Sequence, residues 1–294
     1  MSDDQKYPAK ILLFGEHTIL RGSCALAMPW WKRYSKWEQA ADTTQQADLL
    51  QLAVYLDQEF PHLFQTHQLR QDLDDGYYLY STIPTGYGLG SSGTVCVAVF
   101  DRYATATARR KVSLLGAKPF FAQMESFFHG SSSGTDPLII YQQQSIQLFP
   151  DGTISDVDIP ALPKNWCFFL LDTKKARQTG PLVNYFTERF DTDTNFQQRT
   201  KRHWIPATNE AINALLQQDM PSLWQAFKSI SQFQLAELPP MVLPLVQSAW
   251  KKGLSSELYL LKICGAGGGG FCLGLTQNWK QTQQALKDWE LILL

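Results

Sequence analysis

Hydrophobic and polar positions alternate with several periods along this chain, and each change of period marks an expected element. A continuous apolar run at residues 11–14 reads as a buried strand that ends at Gly15-Glu16-His17. Residues 24–28 read as a second strand, stopped by Pro29. Between residues 45 and 56, Leu49, Leu50, Ala53 and Leu56 recur at helical spacing, so an amphipathic helix is expected. Residues 77–83 read as a strand that feeds the loop Pro84-Thr85-Gly86-Tyr87-Gly88-Leu89-Gly90-Ser91-Ser92. A helix over 95–108 follows that loop, and another is expected over 114–128. Residues 137–141 and 145–149 read as paired strands ahead of an Asp151-Gly152 turn, and 166–171 as an apolar strand. Residues 198–250 read as several helices broken at Pro206, Pro221 and Pro239-Pro240. Strands at 257–263 and 271–275 flank a glycine-rich loop, and 279–293 reads as a closing helix.

No internal repeat is visible. Both halves mix strands and helices without strict βαβ alternation, which argues for an α+β fold. The Pro-containing stretch at 162–164 suggests two domains, 1–162 and 163–294. A length of 294 residues suits two modest domains, and 44% hydrophobic against 18% charged residues is a globular balance. With 26 basic and 27 acidic residues and no like-charge block, the chain shows no electrostatic footprint for DNA or RNA, so no nucleic-acid partner is expected. The five cysteines are odd in number, without a CxxC pair and in apolar contexts, so reduced core thiols are expected rather than a disulfide framework or a zinc site. Residues 1–10 are polar and lack a signal core, and no apolar run reaches the ~18 residues of a membrane span. The expectation is a soluble, cytoplasmic protein with no membrane partner.

Three loops carry residue types suited to chemistry. In the first, glycines allow backbone amides to approach a ligand, and a helix N-terminus directly behind adds partial positive charge. Ser91 and Ser92 can cap that helix or offer hydroxyls to phosphate or metal; the loop alone fits an anion nest and a plain serine-capped turn equally well. Gly88-Leu89-Gly90-Ser91-Ser92-Gly93 also fits G-x-G-x-x-G, the mark of a dinucleotide site. Yet the loop does not open the chain, and Asp101 lies too early and Glu125 too late for the ribose acid expected ~20 residues on. No Walker-type P-loop is present. In the second loop, Gly265-Ala266-Gly267-Gly268-Gly269-Gly270 holds more glycine than a hairpin needs, which suggests close approach of a ligand or another segment. The third signal is Lys10 and Gly15-Glu16-His17 at the two ends of the first strand.

Together and in order, Pro8-Ala9-Lys10 through Gly15-Glu16-His17, Pro84 through Ser92 and Lys262 through Gly270 resemble the three motifs of the GHMP kinases, over nearly the whole chain. Glu125 followed by His129-Gly130-Ser131-Ser132-Ser133-Gly134-Thr135-Asp136 resembles the mevalonate kinase branch, as does the segment from Asp172 to Thr179 that carries Arg177. The chain departs from the pattern at Tyr87, Gly93-Thr94 and Pro137, and 30–75 is short. The resemblance implies a two-domain GHMP kinase fold, with an N-terminal ribosomal-protein-like α/β domain, a C-terminal ferredoxin-like α+β domain and an active site in the cleft between them. It implies transfer of the ATP γ-phosphoryl group to a small-molecule hydroxyl, with ATP as co-substrate, Mg2+ as cofactor and mevalonate as acceptor in isoprenoid precursor synthesis. Phosphomevalonate or a sugar as acceptor, and a silent binding protein of the same fold, are the alternatives; monomer and homodimer both fit.

By the same resemblance, Asp136 is the general base, Lys10 its cationic partner and Thr179 a donor to the hydroxyl or γ-phosphate. Pro84, Gly86, Gly88, Leu89, Gly90, Ser91 and Ser92 bind ATP phosphates, and Ser92 and Glu125 hold the metal. Lys10, Glu16, His17, Asp136, Thr179, Gly267 and Gly268 contact the acceptor, Arg177 places its segment, and His129 orients its loop.

Overall fold

The computed structural model describes residues 5–40, 46–177 and 179–294. The chain divides into two compact units, each drawn from several stretches. One takes the start of the chain through Lys10 with Pro29–Pro84 and Leu89–Gln144; the other takes Ile11–Met28, Thr85–Gly88 and Ser145–Leu294. Compactness thus follows interleaved segments, whereas the sequence suggested two consecutive ones.

Strands β1 (Lys6–Phe14) and β2 (Ala25–Gln39) run through both units. In the first unit β2 pairs antiparallel with β3 (Tyr77–Ser81), from Ser35↔Ser81 to Gln39↔Tyr77. Helices α1 (Gln46–Glu59), α2 (Thr66–Asp74), α3 (Ser91–Tyr103), α4 (Ala106–Leu115), α5 (Ala117–His129) and α6 (Thr135–Gln142) complete it. Leu52, Leu56, Phe60, Leu69, Val97, Phe100 and Phe121 are buried in one aromatic-rich core. The Phe60 and Phe120 rings lie 5.1 Å apart and those of Phe100 and Phe121 5.2 Å apart. Helix α3 packs on both α5 and α6, which brings the starts of α3 and α6 together with α5.

In the second unit, β4 (Ile146–Leu148) pairs with the start of β2 and with β5 (Ile154–Asp156). A separate antiparallel sheet has the order β7-β8-β6-β9, from β6 (Cys167–Asp172), β7 (Tyr259–Ile263), β8 (Phe271–Thr276) and β9 (Leu291–Leu293). Between β6 and β7 run α7 (Thr179–Thr192), α8 (Thr194–Arg199), a π-helical turn at Thr200–Trp204, α9 (Ile205–Leu216), α10 (Met220–Glu237) and α11 (Pro244–Ser256); α12 (Trp279–Ala285) follows β8. Helix α10 packs on α9 and β7, and Trp250 of α11 is buried with its indole N–H donating to Ser231 Oγ at 2.8 Å.

The α+β expectation holds: every described ladder is antiparallel, and helices lie outside strict βαβ order. Several element expectations change. Residues 137–141 are helical, inside α6, not a strand. Their apolar run is buried at Pro137–Ile140, so it lacks the polar face that would reveal a helix; Pro137 falls in the first turn, where no intrahelical N–H bond is lost. Residues 279–293 form α12 and then β9, because Leu291–Leu293 pairs with β6. Pro29 does not stop β2. It stands in neither the β4 ladder at Ala25–Ala27 nor the β3 ladder at Ser35–Gln39, so its missing N–H breaks no bond in either. The expected 95–108 helix divides where Thr105 caps α4, accepting from Ala108 N at 3.3 Å. Pro221 sits in the first turn of α10 behind the Asp219 cap, so it begins a helix rather than breaking one. Pro206 follows the π-helical turn inside a helical run continuous from Thr194 to Leu216, so it does not end that run. All five cysteines are free thiols, and among the described residues no helix is long and apolar enough to cross a membrane.

Gly274 of β8 stands opposite the fully buried Phe169 of β6, and a Cβ there would fall inside the Phe169 ring. That ring is flanked by Tyr259 and Trp279, so it has little room to move. Gly274→Ala is expected to lower stability by about 1–3 kcal/mol, read from the denaturant midpoint.

Candidate active site

Two clusters gather the chemistry-bearing residues, one in each unit. In the first unit, Lys10 Nζ lies 2.9 Å from Asp136 Oδ1, joining β1 to the first turn of α6; the lysine side chain is 9% exposed and the aspartate 33%. The expected pair is therefore formed, with its acid the more accessible partner. Gly90 tightens the junction: it adopts φ +77°, and a Cβ there would stand 3.0 Å from Lys10 Cγ and 3.6 Å from Asp136 Cβ. Leu89 is buried, and its carbonyl accepts from Lys10 N at 2.9 Å.

Helix α3 begins at Ser91 with Gly90 as its N-cap, and no side chain caps it. Of the two roles open to Ser91 and Ser92, capping is not the one they take, and the first-turn amides keep their capacity for an anion. Instead Ser92 Oγ donates to Glu125 Oε1 at 2.7 Å and lies 3.1 Å from His129 Nε2. Ser132 Oγ donates to the other Glu125 oxygen. Burial, and then the charge of Asp136, raise the Glu125 carboxyl above its ordinary pKa, against the lowering pull of the two serine hydroxyls. The expected pair Ser92 and Glu125 is thus in contact, and His129 joins it. Among the described residues no group of three or more His, Cys, Asp or Glu side chains is arranged to hold a metal.

In the second unit, Glu16 and His17 follow β1 at a strained corner. Gly15 adopts φ +97°, and a Cβ there would overlap Ala25, while His17 itself holds φ 60° and ψ −46°. Glu16 Oε1 pairs with Lys262 Nζ of β7 at 2.8 Å, with 2% of the glutamate and 0% of the lysine side chain exposed. Gln234 of α10 donates to the same oxygen at 2.6 Å. His17 Nε2 lies 3.0 Å from the Ala266 carbonyl. A carbonyl only accepts, so Nε2 carries the proton and Nδ1 holds a lone pair. Burial holds the imidazole neutral, lowering its pKa to about 4.

Arg177 organises the glycines. Its Nη1 donates to the carbonyl of Cys264 at 2.8 Å and also reaches those of Gly267 at 3.4 Å and Gly269 at 3.3 Å. Its backbone N–H donates to Gly86 O at 3.0 Å. A Cβ at Gly88 would overlap its guanidinium, and one at Gly265 would come within 2.6 Å of Nη2. Gly268 N donates to Met241 O at 2.7 Å. Tyr87 donates to Asp172 Oδ1 at 3.2 Å and stacks edge-on against Phe271. The dense glycine of the second loop thus serves close approach by Arg177 and by neighbouring backbone. Pro84 closes its stretch of the first unit. Thr179 begins α7, and its side chain lies outside the described residues.

Sequence reasoning missed the tethering roles of Lys262, Gln234 and Tyr87. Lys262 stood only as the edge of a motif, and Gln234 lies in a helix with no motif at all.

Replacing Arg177 by Lys removes the planar fork that reaches several carbonyls, and is expected to speed amide exchange at residues 86–88 and 265–270 by about tenfold in hydrogen-exchange mass spectrometry. The His17 imidazole, lowered from its ordinary 6.5 to about 4, binds its proton more readily in the unfolded chain. Stability is therefore expected to fall as pH drops from 6.5 towards 4, with a slope of at most ~1.4 kcal/mol per pH unit from this group. Urea titrations at several pH values should show that component vanish in His17→Gln.

No protein-family model and no curated protein sequence matches the chain. Solved structures do match, over nearly its full length. A mevalonate kinase of L. major in complex with R-mevalonate aligns with a TM-score of 0.66 at 18% identity, covering 99% of this chain and 96% of its own. The Streptococcus pneumoniae phosphomevalonate kinase aligns at 0.63 and 18% identity, covering 99% and 97%. A Lactococcus lactis galactokinase complexed with galactose aligns at 0.65 and 15% identity, covering 100% and 93%. These structures share one architecture, and the present chain has that same architecture, the GHMP kinase fold.

Proposed function

We propose that this protein is an ATP-dependent kinase that transfers the γ-phosphoryl group to a hydroxyl of a small molecule, and that the acceptor is mevalonate, phosphorylated at its primary hydroxyl. The observation that carries the reading is the 2.9 Å contact of Lys10 with a partly accessible Asp136, beside an α3 N-terminus that no side chain caps. Phosphoryl transfer asks little covalent chemistry of a protein and depends on alignment and charge stabilisation. Asp136 takes the proton as the acceptor oxygen bonds to phosphorus and ADP leaves. Lys10 places its ammonium beside Asp136, where it can offset negative charge that develops on the attacking oxygen. The backbone of Gly86, Gly88, Gly90, Ser91 and Ser92 serves the phosphates, and Thr179 serves as donor to the hydroxyl or γ-phosphate.

The residues also fit Mg2+. Glu125 and Ser92 present a buried carboxylate and a hydroxyl, the hard oxygen donors that magnesium uses sparingly alongside phosphate oxygens. Bound there, the ion would neutralise charge on the phosphates. Mevalonate as acceptor rests on the HG-x-x-SG-x-D stretch ending at Asp136 and on the likeness to mevalonate kinases.

A coupled ADP-release assay with Mg-ATP and mevalonate, phosphomevalonate, galactose and homoserine tests both levels. Turnover on mevalonate alone at ~1–100 s⁻¹ is expected. Turnover on another acceptor keeps the kinase and replaces the substrate, whereas ATP binding without any turnover favours a silent binding protein. Asp136→Asn is expected to retain ATP binding and to lose ~10²–10⁴-fold in kcat; full activity in that variant would remove Asp136 as the base.

A further inference from the structure

The Glu16–Lys262 pair is an expensive thing to bury. Lysine is almost never fully enclosed unless paired, and an enclosed ion pair is weak as a device for stability, because packed apolar side chains often do as well. Here the pair is completed with care. Lys262 Nζ donates to Glu16 Oε1 at 2.8 Å and to its neighbour's carbonyl, Ile263 O, at 2.8 Å. Gln234 donates its Nε2–H to the same Glu16 oxygen at 2.6 Å and accepts from Ile263 N at 2.9 Å. Both side chains that reach Glu16 end on the same oxygen, and both are anchored to Ile263. Glu16 Oε2 is buried with no hydrogen-bond partner, and so is His17 Nδ1 on the next residue. Buried polar atoms are nearly always satisfied. Both orphans here are acceptors, so what the cluster lacks is a donor, and a hydroxyl is one.

We infer that Lys262 and Gln234 are positioning residues: they hold the Glu16 carboxylate by Oε1 alone, so that Oε2, together with His17 Nδ1, is kept to accept hydrogen bonds from hydroxyl groups of the acceptor. This deepens the kinase reading and rests on it for the identity of the ligand. Burial raises the Glu16 carboxyl above its ordinary pKa, and Lys262 is the largest influence opposing that rise. The other titratable groups of the cluster are His17, Arg177 and the Cys272 thiol, the last pushed up to about 12 by burial. Removing the lysine charge lets both Glu16 and His17 gain a proton more easily and be lost as acceptors, so the infrared band of Glu16 is what assigns the change to that carboxyl.

The test compares wild type with Lys262→Met by steady-state kinetics across pH and by infrared titration of the Glu16 carboxylic-acid band, identified by its loss in Glu16→Gln. Lys262→Met is expected to move both the acid limb of kcat/KM and the Glu16 band to higher pH by about one unit or more, and to raise the acceptor KM ~10-fold with the ATP KM within ~2-fold. Lys262→Arg, which keeps the charge, is expected to restore the acid limb. If Lys262→Met fails to fold, Gln234→Met removes the neutral donor and is expected to raise the acceptor KM in the same selective way. An unmoved band, or ATP and acceptor KM values rising together, overturns the inference. Absence of wild-type turnover on every acceptor with a shifted band refutes the kinase reading while leaving the hold on Glu16 in place; wild-type turnover with an unmoved band does the reverse.

Discussion

One guanidinium governs the second unit. Arg177 reaches carbonyls on both sides of the Gly265–Gly270 turn, and its own backbone holds Gly86. A planar fork with several donors can bind carbonyls in different directions at once, which an ammonium cannot do with the same fixed geometry. Its seat exists because Gly88 and Gly265 have no Cβ to fill it. The glycine runs are therefore shaped by a side chain as much as by any ligand. The same close packing brings Gly270 N to Lys175 O at 2.6 Å and Thr173 Oγ1 to Gly270 O at 2.7 Å, tying β8 to the segment that leaves β6.

The two ion pairs of the clusters differ in their physical setting. Lys10 is nearly enclosed but faces an aspartate with a third of its side chain open, so solvent can still reach the acid. Glu16 and Lys262 are closed off, and their mutual attraction is set against a desolvation penalty on both charges. That geometry favours holding a shape over exchanging protons. Glu125 lies between these extremes, buried and held by two serine hydroxyls, with burial raising its carboxyl above its ordinary pKa.

One strained residue lies in the second cluster. His17 holds positive φ without being glycine, at the corner where Glu16 turns towards β7. A strained residue persists only where its surroundings over-determine it. The Ala266 carbonyl and the rings of Phe186 and Trp204, with centroids 5.1 and 6.4 Å from the imidazole, supply that constraint.

The sequence by itself determined the α+β class, the strands around residues 11–14, 166–171 and 257–275, and the order of the glycine loops, because these depend on local period and on glycine's freedom at positive φ. Through motif likeness it also named Lys10, Asp136, Ser92 and Glu125, which the fold brings into contact. Tertiary structure decided what local pattern leaves degenerate. Residues 137–141 are apolar enough for a strand or a helix, and burial on α3 and α5 made them α6. Leu291–Leu293 became a strand only because β6 offered an open edge. Lys262 and Gln234 gained meaning only in three dimensions: nothing in a strand lysine or a helix glutamine announces that both will end on one oxygen of Glu16, since that convergence joins residues more than two hundred positions apart.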